Sequence, residues 1–162
     1  MPELARVFGT TSHRRQLLRN LIAYRTLLAG AGYVSGIQFI DGSFVENIEA
    51  FGQREPSDID VFSVLSVPLR YLTDPHAWQT IGYPFWRTEI IDRVRNKQRF
   101  KLDTYAVLLE ERQAQPTNLV RDIIYWYGLF SHQRDTFAWK GFAALTLDPA
   151  GDRTAVSGLG SA

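Results

Sequence analysis

Three aspartates stand where a buried strand would carry apolar side chains. Asp58 and Asp60 alternate with Ile59 and Val61 at the start of "DIDVFSVL", and Asp103 sits early in "KLDTYAVLL". Residues i and i+2 of a strand point to one face, so Asp58 and Asp60 project together, about 7 Å apart along the backbone. Two like charges side by side in a core are costly unless something positive lies between them. A divalent cation, Mg²⁺ or Mn²⁺, meets that need, because it prefers carboxylate oxygens together with phosphates and water. Two such ions held by three carboxylates activate an attacking oxygen and stabilise a leaving one in phosphoryl or nucleotidyl transfer. Just upstream, Gly42-Ser43 ends the apolar run "GIQFID". A glycine lets a phosphate approach the backbone, and a serine adds a hydroxyl and an amide donor. Taken singly, each feature has an ordinary reading. Gly-Ser makes turns, an aspartate after Pro-Ser caps a strand, and Asp103 can pair with Arg99 or Lys101. Their order and spacing are what single them out.

The elements that must position these residues follow from periodicity. "TTSHRRQLLRNLIAYRTLLAGAGY" carries Leu17, Leu18, Leu21, Ile22, Tyr24, Leu27 and Leu28 on a helical stripe, with Thr11 or Ser12 as cap and Gly30 and Gly32 as the stop. Strands are expected over about 36–41, 58–65, 100–108 and 140–147. Residues 46–57 read as a loop, and "SVPLRYLTDPHAW" reads as broken by Pro68 and Pro75. One helix is expected across "PFWRTEIIDRVRNKQ", with Pro84 in its first turn, and another across "TNLVRDIIYWYGLFSHQ", capped by Thr117. The order α-β-β-α-β-α-β implies an α+β fold, a mixed sheet flanked by helices. Residues 1–148 read as one domain, and the small, polar segment 149–162 as a flexible C-terminal tail.

Composition bounds the function classes. The 162 residues are enough for one domain with a real core. A formal net charge of +1 advertises no global field for nucleic acid. Without cysteine there is neither a disulfide framework nor a thiolate metal site. "MPELARVFGTTSHRRQLL" lacks a basic segment followed by an apolar one, and no apolar stretch approaches a membrane span. The expectation is a soluble, cytoplasmic chain with no membrane partner.

"DGSF…PSDIDVFSV" followed by "KLDTYAV" resembles the nucleotidyltransferase superfamily related to DNA polymerase beta. Its signature is a Gly-Ser, an acidic-x-acidic pair about a dozen residues on, and a third acidic residue on a later strand. "FGTTSHRRQLL", "DGSFVEN", "YWYGLFSHQRD" and "WKGFAALTL" further resemble a small bacterial family of minimal nucleotidyltransferase-like proteins, from about Val7 to Leu147. The resemblance implies the polymerase beta-like nucleotidyltransferase fold, two Mg²⁺ (or Mn²⁺) ions and a nucleoside triphosphate donor. Gly42 and Ser43 would hold donor phosphates, and Asp58 and Asp60 the metals. Asp103 would bind the catalytic metal and help activate the acceptor hydroxyl. Larger members add a helical domain that grips the acceptor. Here a partner, a dimer, or the segments 66–83 and 131–140 must serve. The resemblance also implies a setting of toxin–antitoxin or phage-defence genes, in which the acceptor is a toxin-like protein, an RNA or a small molecule.

Other residues carry weaker signals. "RVRNKQRFK", Arg93–Lys101, is the densest basic run and leads into the Asp103 strand, so Lys101 is a candidate phosphate contact. The plainer reading is a solvated helix end, where the dipole favours cations. Arg134 and Lys140 in "SHQRDTFAWKG" can neutralise charge on a phosphate, and His132 has the chemistry for proton transfer. Tyr125, Trp126, Tyr127 and Phe130 read as core rather than a base-stacking platform. His13, Arg14 and Arg15 open the first helix, where positive charge is mildly unfavourable. The expected activity is a metal-dependent nucleotidyltransferase. The alternative is a catalytically silent module of the same fold, acting as an antitoxin or scaffold partner. The sequence leaves the nucleotide, the acceptor and the oligomeric state open.

Overall fold

A computed structural model of the chain describes residues 1–52, 54–133 and 136–160. Helices α1 (Pro2–Phe8) and α2 (Ser12–Gly30) come first, and the Thr11 hydroxyl caps α2 by accepting from the Arg14 amide at 3.1 Å. The stripe read from sequence is the buried face of α2: Leu17, Leu18, Leu21, Ile22, Tyr24 and Leu28 join the main core. Strands β1 (Gly36–Asp41), β2 (Ile59–Leu65), β3 (Leu102–Leu108) and β4 (Ala143–Thr146) form one sheet in the order β3-β2-β1-β4. β1 runs antiparallel to β2 and β4, whereas β2 and β3 are parallel. The protein is thus α+β with a mixed sheet, and all four expected strands lie in it.

A parallel pair needs a long crossover. Residues 69–100 supply it, and here the structure corrects the sequence reading. Leu69–Thr73 is helical, and a run from Pro75 to Ile90 alternates α turns with π segments at Trp78–Gly82 and Trp86–Ile90. Pro84 lacks the amide that an α-helical bond needs, and the run closes with the wider bond from the Ile91 amide to the Trp86 carbonyl. The single helix expected over 84–98 is therefore two. The Asp92 carboxylate caps a new start, helix α3 (Arg93–Phe100), by accepting from the Arg95 amide. A 3₁₀ turn, Ser43–Val45, leads into the 46–57 segment, which itself holds a helical turn, Ile48–Gly52.

Both faces of β2 are covered, which is why it reads as a continuous apolar run. Ile59, Val61 and Leu65 pack with α2, while Phe62 and Val64 meet helix α4 (Pro116–Phe130) through Leu119, Trp126 and Phe130. Trp126 stacks on Phe62 with ring centroids 4.8 Å apart. Of the four aromatics read as core, Trp126 and Phe130 are; Tyr125 and Tyr127 are exposed.

The segment expected as a flexible tail forms helix α5 (Pro149–Gly158). Asp148 caps it, with Pro149 in the first turn. Asp152 then enters the core to meet Arg25 of α2. The Arg25 Nε lies 2.9 Å from both Asp152 carboxylate oxygens, its Nη1 donates to Gln38 Oε1 at 2.8 Å, and its Nη2 donates to the Thr146 carbonyl at 2.7 Å. A composition rich in small residues suggested mobility, but one buried ion pair and the apolar contacts of Ala155 and Leu159 hold the segment down.

Candidate active site

The strand register builds the site. Asp41 pairs with Asp60 across β1–β2, and Asp60 pairs with Asp103 across β2–β3. Directly paired residues share a face, so one row of three carboxylates crosses the sheet just beyond the aromatic cluster under α4. Asp58 precedes β2 on the same side. A cleft of about 800 Å³ opens over this row. Its lining includes Asp41, Gly42, Ser43, Asp58, Asp60 and Asp103 from the sheet end, Lys97 from α3, and His132 and Lys140 from beyond α4.

Gly42 turns the chain at the end of β1 with φ +83°. That left-handed conformation suits glycine. A Cβ there would also stand 3.0 Å from the Asp60 Oδ2 atom, so the glycine makes room for that carboxylate. Ser43 begins the 3₁₀ turn that follows. Arg14, which had no functional account in sequence, pins this segment. It is buried, and it donates to the Phe44 carbonyl at 2.6 Å, the Glu46 carbonyl at 2.7 Å and both Glu49 carboxylate oxygens. Its guanidinium holds the Glu49 carboxyl below the usual range.

Four acidic residues of the cleft, Asp41, Glu46, Asp58 and Asp103, each face a cation. Lys97 Nζ is 2.6 Å from Asp58 Oδ2. Arg93 forks onto Asp103 at 2.7 and 2.9 Å while lying 4.1 Å over the Tyr105 ring. Asp103 thus pairs with Arg93, not with Arg99 or Lys101, both suggested by sequence proximity. Asp58 raises the Lys97 pKa by its hydrogen bond, and Asp103 does the same for Arg93. Lys140 Nζ sits 3.0 Å from Asp41 Oδ2 and 3.4 Å from Glu46 Oε1. Asp41 is buried, and its Oδ1 has no hydrogen-bond partner. Burial pushes its carboxyl up to about 6, against the lowering effect of the Gly42 amide and Lys140, with the Asp60 charge adding to the rise.

The expected residues are only partly brought together. Gly42, Ser43, Asp58, Asp60, Asp103 and Lys140 line the one cleft. Lys101 does not. It takes a left-handed conformation, φ +56°, that closes α3, and its side chain is exposed. Arg134 lies outside the described residues. Of the two segments expected to form an acceptor wall, 131–140 brings His132, Gln133, Thr136 and Lys140 to the cleft, and 66–83 brings none of its residues. The three carboxylates expected to share an ion do not close on one as they stand: among the described residues no group of three His, Cys, Asp or Glu is arranged to hold a metal. Asp58 is drawn toward Lys97 and Asp103 toward Arg93 instead. In donor type the site still fits a hard divalent cation, since it offers clustered carboxylates and one buried carboxylate oxygen left unbonded. Sequence reasoning missed Asp41, Glu46 and Arg14. Asp41 had a signal, as it stands directly before Gly42-Ser43 in "DGS", but only the register reveals that it opposes Asp60.

The chain belongs to a family of unknown function (DUF6932), whose model matches residues 1–146. No curated protein and no solved structure matches it. Among the described residues, no helix is long and apolar enough to cross a membrane.

Proposed function

We propose that the protein is a metal-dependent nucleotidyltransferase of the polymerase beta-like fold, and that the cleft over Asp41, Asp60 and Asp103 is its active site. The observation that carries this reading is the register, which sets the Gly42-Ser43 turn directly beside a row of strand-end carboxylates. Gly42 and Ser43 offer backbone and hydroxyl donors to the phosphates of a nucleoside triphosphate. Asp58, Asp60 and Asp103 would hold Mg²⁺ or Mn²⁺. When bound, such ions supply charge neutralisation on the transferring phosphate. The acceptor hydroxyl oxygen bonds to the α-phosphorus, the bond to the bridging oxygen breaks, and pyrophosphate leaves. Asp103 takes the hydroxyl proton, help that typically contributes 10²–10⁴-fold. Lys140, already inside the cleft, offsets phosphate charge. The acceptor is a hydroxyl of a protein, an RNA or a small molecule.

A second reading has its own support. Lys97 on Asp58 and Arg93 on Asp103 neutralise the carboxylates with side-chain cations, as a silent nucleotidyltransferase-fold module would, acting as an antitoxin or scaffold partner.

One experiment separates the two. The protein is incubated with each α-labelled triphosphate, Mg²⁺ or Mn²⁺, and candidate protein and RNA acceptors. The transferase reading expects label on an acceptor, lost in Asp103→Asn while nucleotide binding stays. Ser43→Ala mainly weakens nucleotide binding. Absence of any labelled acceptor, together with calorimetry showing no divalent-dependent nucleotide binding, supports the silent module.

A further inference from the structure

Helix α3 carries Arg93 and Lys97 four residues apart, and residues at that spacing lie on one helix face. From this face Lys97 Nζ reaches Asp58 at 2.6 Å, and Arg93 reaches both Asp103 carboxylate oxygens. The Asp60 charge acts on both cations. The other cations of the run turn elsewhere: Arg95 and Arg99 both meet Glu89, and Lys101 is exposed. The helix itself is fixed. Asn96 is buried, and its amide donates to the Glu89 and Ile90 carbonyls at 3.1 Å and to Thr104 Oγ1 at 2.9 Å. Phe100 packs edge-on against Tyr24. The two cationic side chains, by contrast, lie on the solvent side. Arg93 and Lys97 are 51% and 56% exposed, whereas Asp103 and Asp58 are 14% and 15%. An ion pair with one partner half in solvent holds only weakly.

We propose that Arg93 and Lys97 are the cations that bind the triphosphate, and that in doing so they release Asp103 and Asp58 to divalent ions. This assignment rests on the transferase reading of the cleft, and three observations carry it. Lys97 lines the same cleft as Gly42 and Ser43, so phosphates held at that turn share its space. Arg93 presents a planar fork, which suits a phosphate as it suits the Asp103 carboxylate it now grips. It also rests 4.1 Å over the Tyr105 ring, a contact that supports the guanidinium when it leaves Asp103. Finally, the carboxylates do not close on an ion while the two cations hold them: among the described residues no group of three is arranged for a metal. Charge then couples the two ligands. Along the described lining acids outnumber cations, so the cleft repels a triphosphate until divalent ions enter. Divalent ions in turn compete with Lys97 and Arg93 for the carboxylates unless phosphates draw those cations away. Each ligand favours the other, and linkage makes the effect reciprocal.

Calorimetry measures this coupling. Mn²⁺ and each common ribo- and deoxyribonucleoside triphosphate are titrated singly and together into the full chain. The unmodified chain should bind each alone weakly, and one should tighten the other by about 5–150-fold, the usual span of coupling between two ligands. Lys97→Met should bind Mn²⁺ alone several-fold more tightly, because Asp58 is released. The same variant should bind the triphosphate with Mn²⁺ roughly tenfold more weakly, the loss expected for one hydrogen bond to a charged group. Arg93→Met should behave alike. Lys97→Arg should keep both affinities near those of the unmodified chain, and so should Arg95→Met, whose partner is Glu89. Thermal melts check that every variant folds. The opposite signs are the signature. A merely structural role lowers both affinities together, and a phosphate contact that leaves the carboxylates alone weakens only the triphosphate. Either of those patterns, or Mn²⁺ affinity unchanged in both Met variants, overturns the proposal and leaves the transferase reading standing. An unmodified chain with no divalent-dependent triphosphate binding overturns that reading, and the proposal with it.

Discussion

Truncating the chain after Asp148 should be strongly destabilising, because α5 delivers Asp152, among the described residues the only carboxylate that hydrogen-bonds Arg25. The Arg25 side chain is fully buried, and Asp152 nearly so. Removing the segment leaves a guanidinium in the core with two neutral acceptors, Gln38 Oε1 and the Thr146 carbonyl. Breaking a buried pair by deleting one partner costs about 3–5 kcal/mol, a large part of the about 5–15 kcal/mol that holds a typical domain. At about 2–4 °C per kcal/mol for a chain of this size, the midpoint should fall on the order of 10 °C. Arg25→Met in the full chain should cost a similar amount, since it strands Asp152. The double variant Arg25→Met with Asp152→Leu should recover much of the loss, because an apolar pair of fitting volume can replace a buried ion pair at little cost. Urea and thermal melts of these four proteins and of Asp152→Leu alone measure all of this. A truncated chain as stable as the whole one, or additive losses in the double variant, would refute the argument and return 149–162 to the mobile tail that its composition suggested.

Other perturbations probe the cleft. Gly42→Ala forces a side chain into a left-handed turn and against Asp60, and should cost about 1–2 kcal/mol while lowering divalent-dependent nucleotide binding; calorimetry and a melt read both. Asp41 has a folded pKa of about 6, above its ordinary 3.8, so the native state holds a proton that the unfolded chain releases. Its contribution is greatest below pH 3.8 and is lost as pH rises through 6. In chelator-treated protein, Asp41→Asn should therefore gain stability relative to the unmodified chain between pH 4 and 6.5; a flat difference contradicts the burial argument. Arg14→Met leaves Glu49 and two carbonyls without their donor and should cost about 2–4 kcal/mol, while nucleotide affinity falls with the loosened Ser43–Val45 turn.

The sequence by itself determined the strands, the long helix α2 and most of the residues that line the cleft. These signals are local. A two-residue alternation and a 3.6-residue stripe are printed in the chain, and an aspartate in an apolar strand is conspicuous wherever it sits. It also fixed that Gly42-Ser43 ends one strand and that Asp58-x-Asp60 opens another. Only the tertiary structure decided what faces what. The antiparallel pairing of β1 with β2 brought Asp41 opposite Asp60, and the parallel pairing of β2 with β3 completed the row with Asp103. Which cation meets which carboxylate was equally invisible: Arg93 reaches Asp103 from ten residues away, although Lys101 and Arg99 are nearer in sequence. Arg14, a misplaced cation at a helix start, and Asp152, inside a segment that reads as a flexible tail, are both buried, and their partners lie 35 and 127 residues distant. Charge pairing across such separations depends on how elements stack, and no local pattern of residue types encodes it.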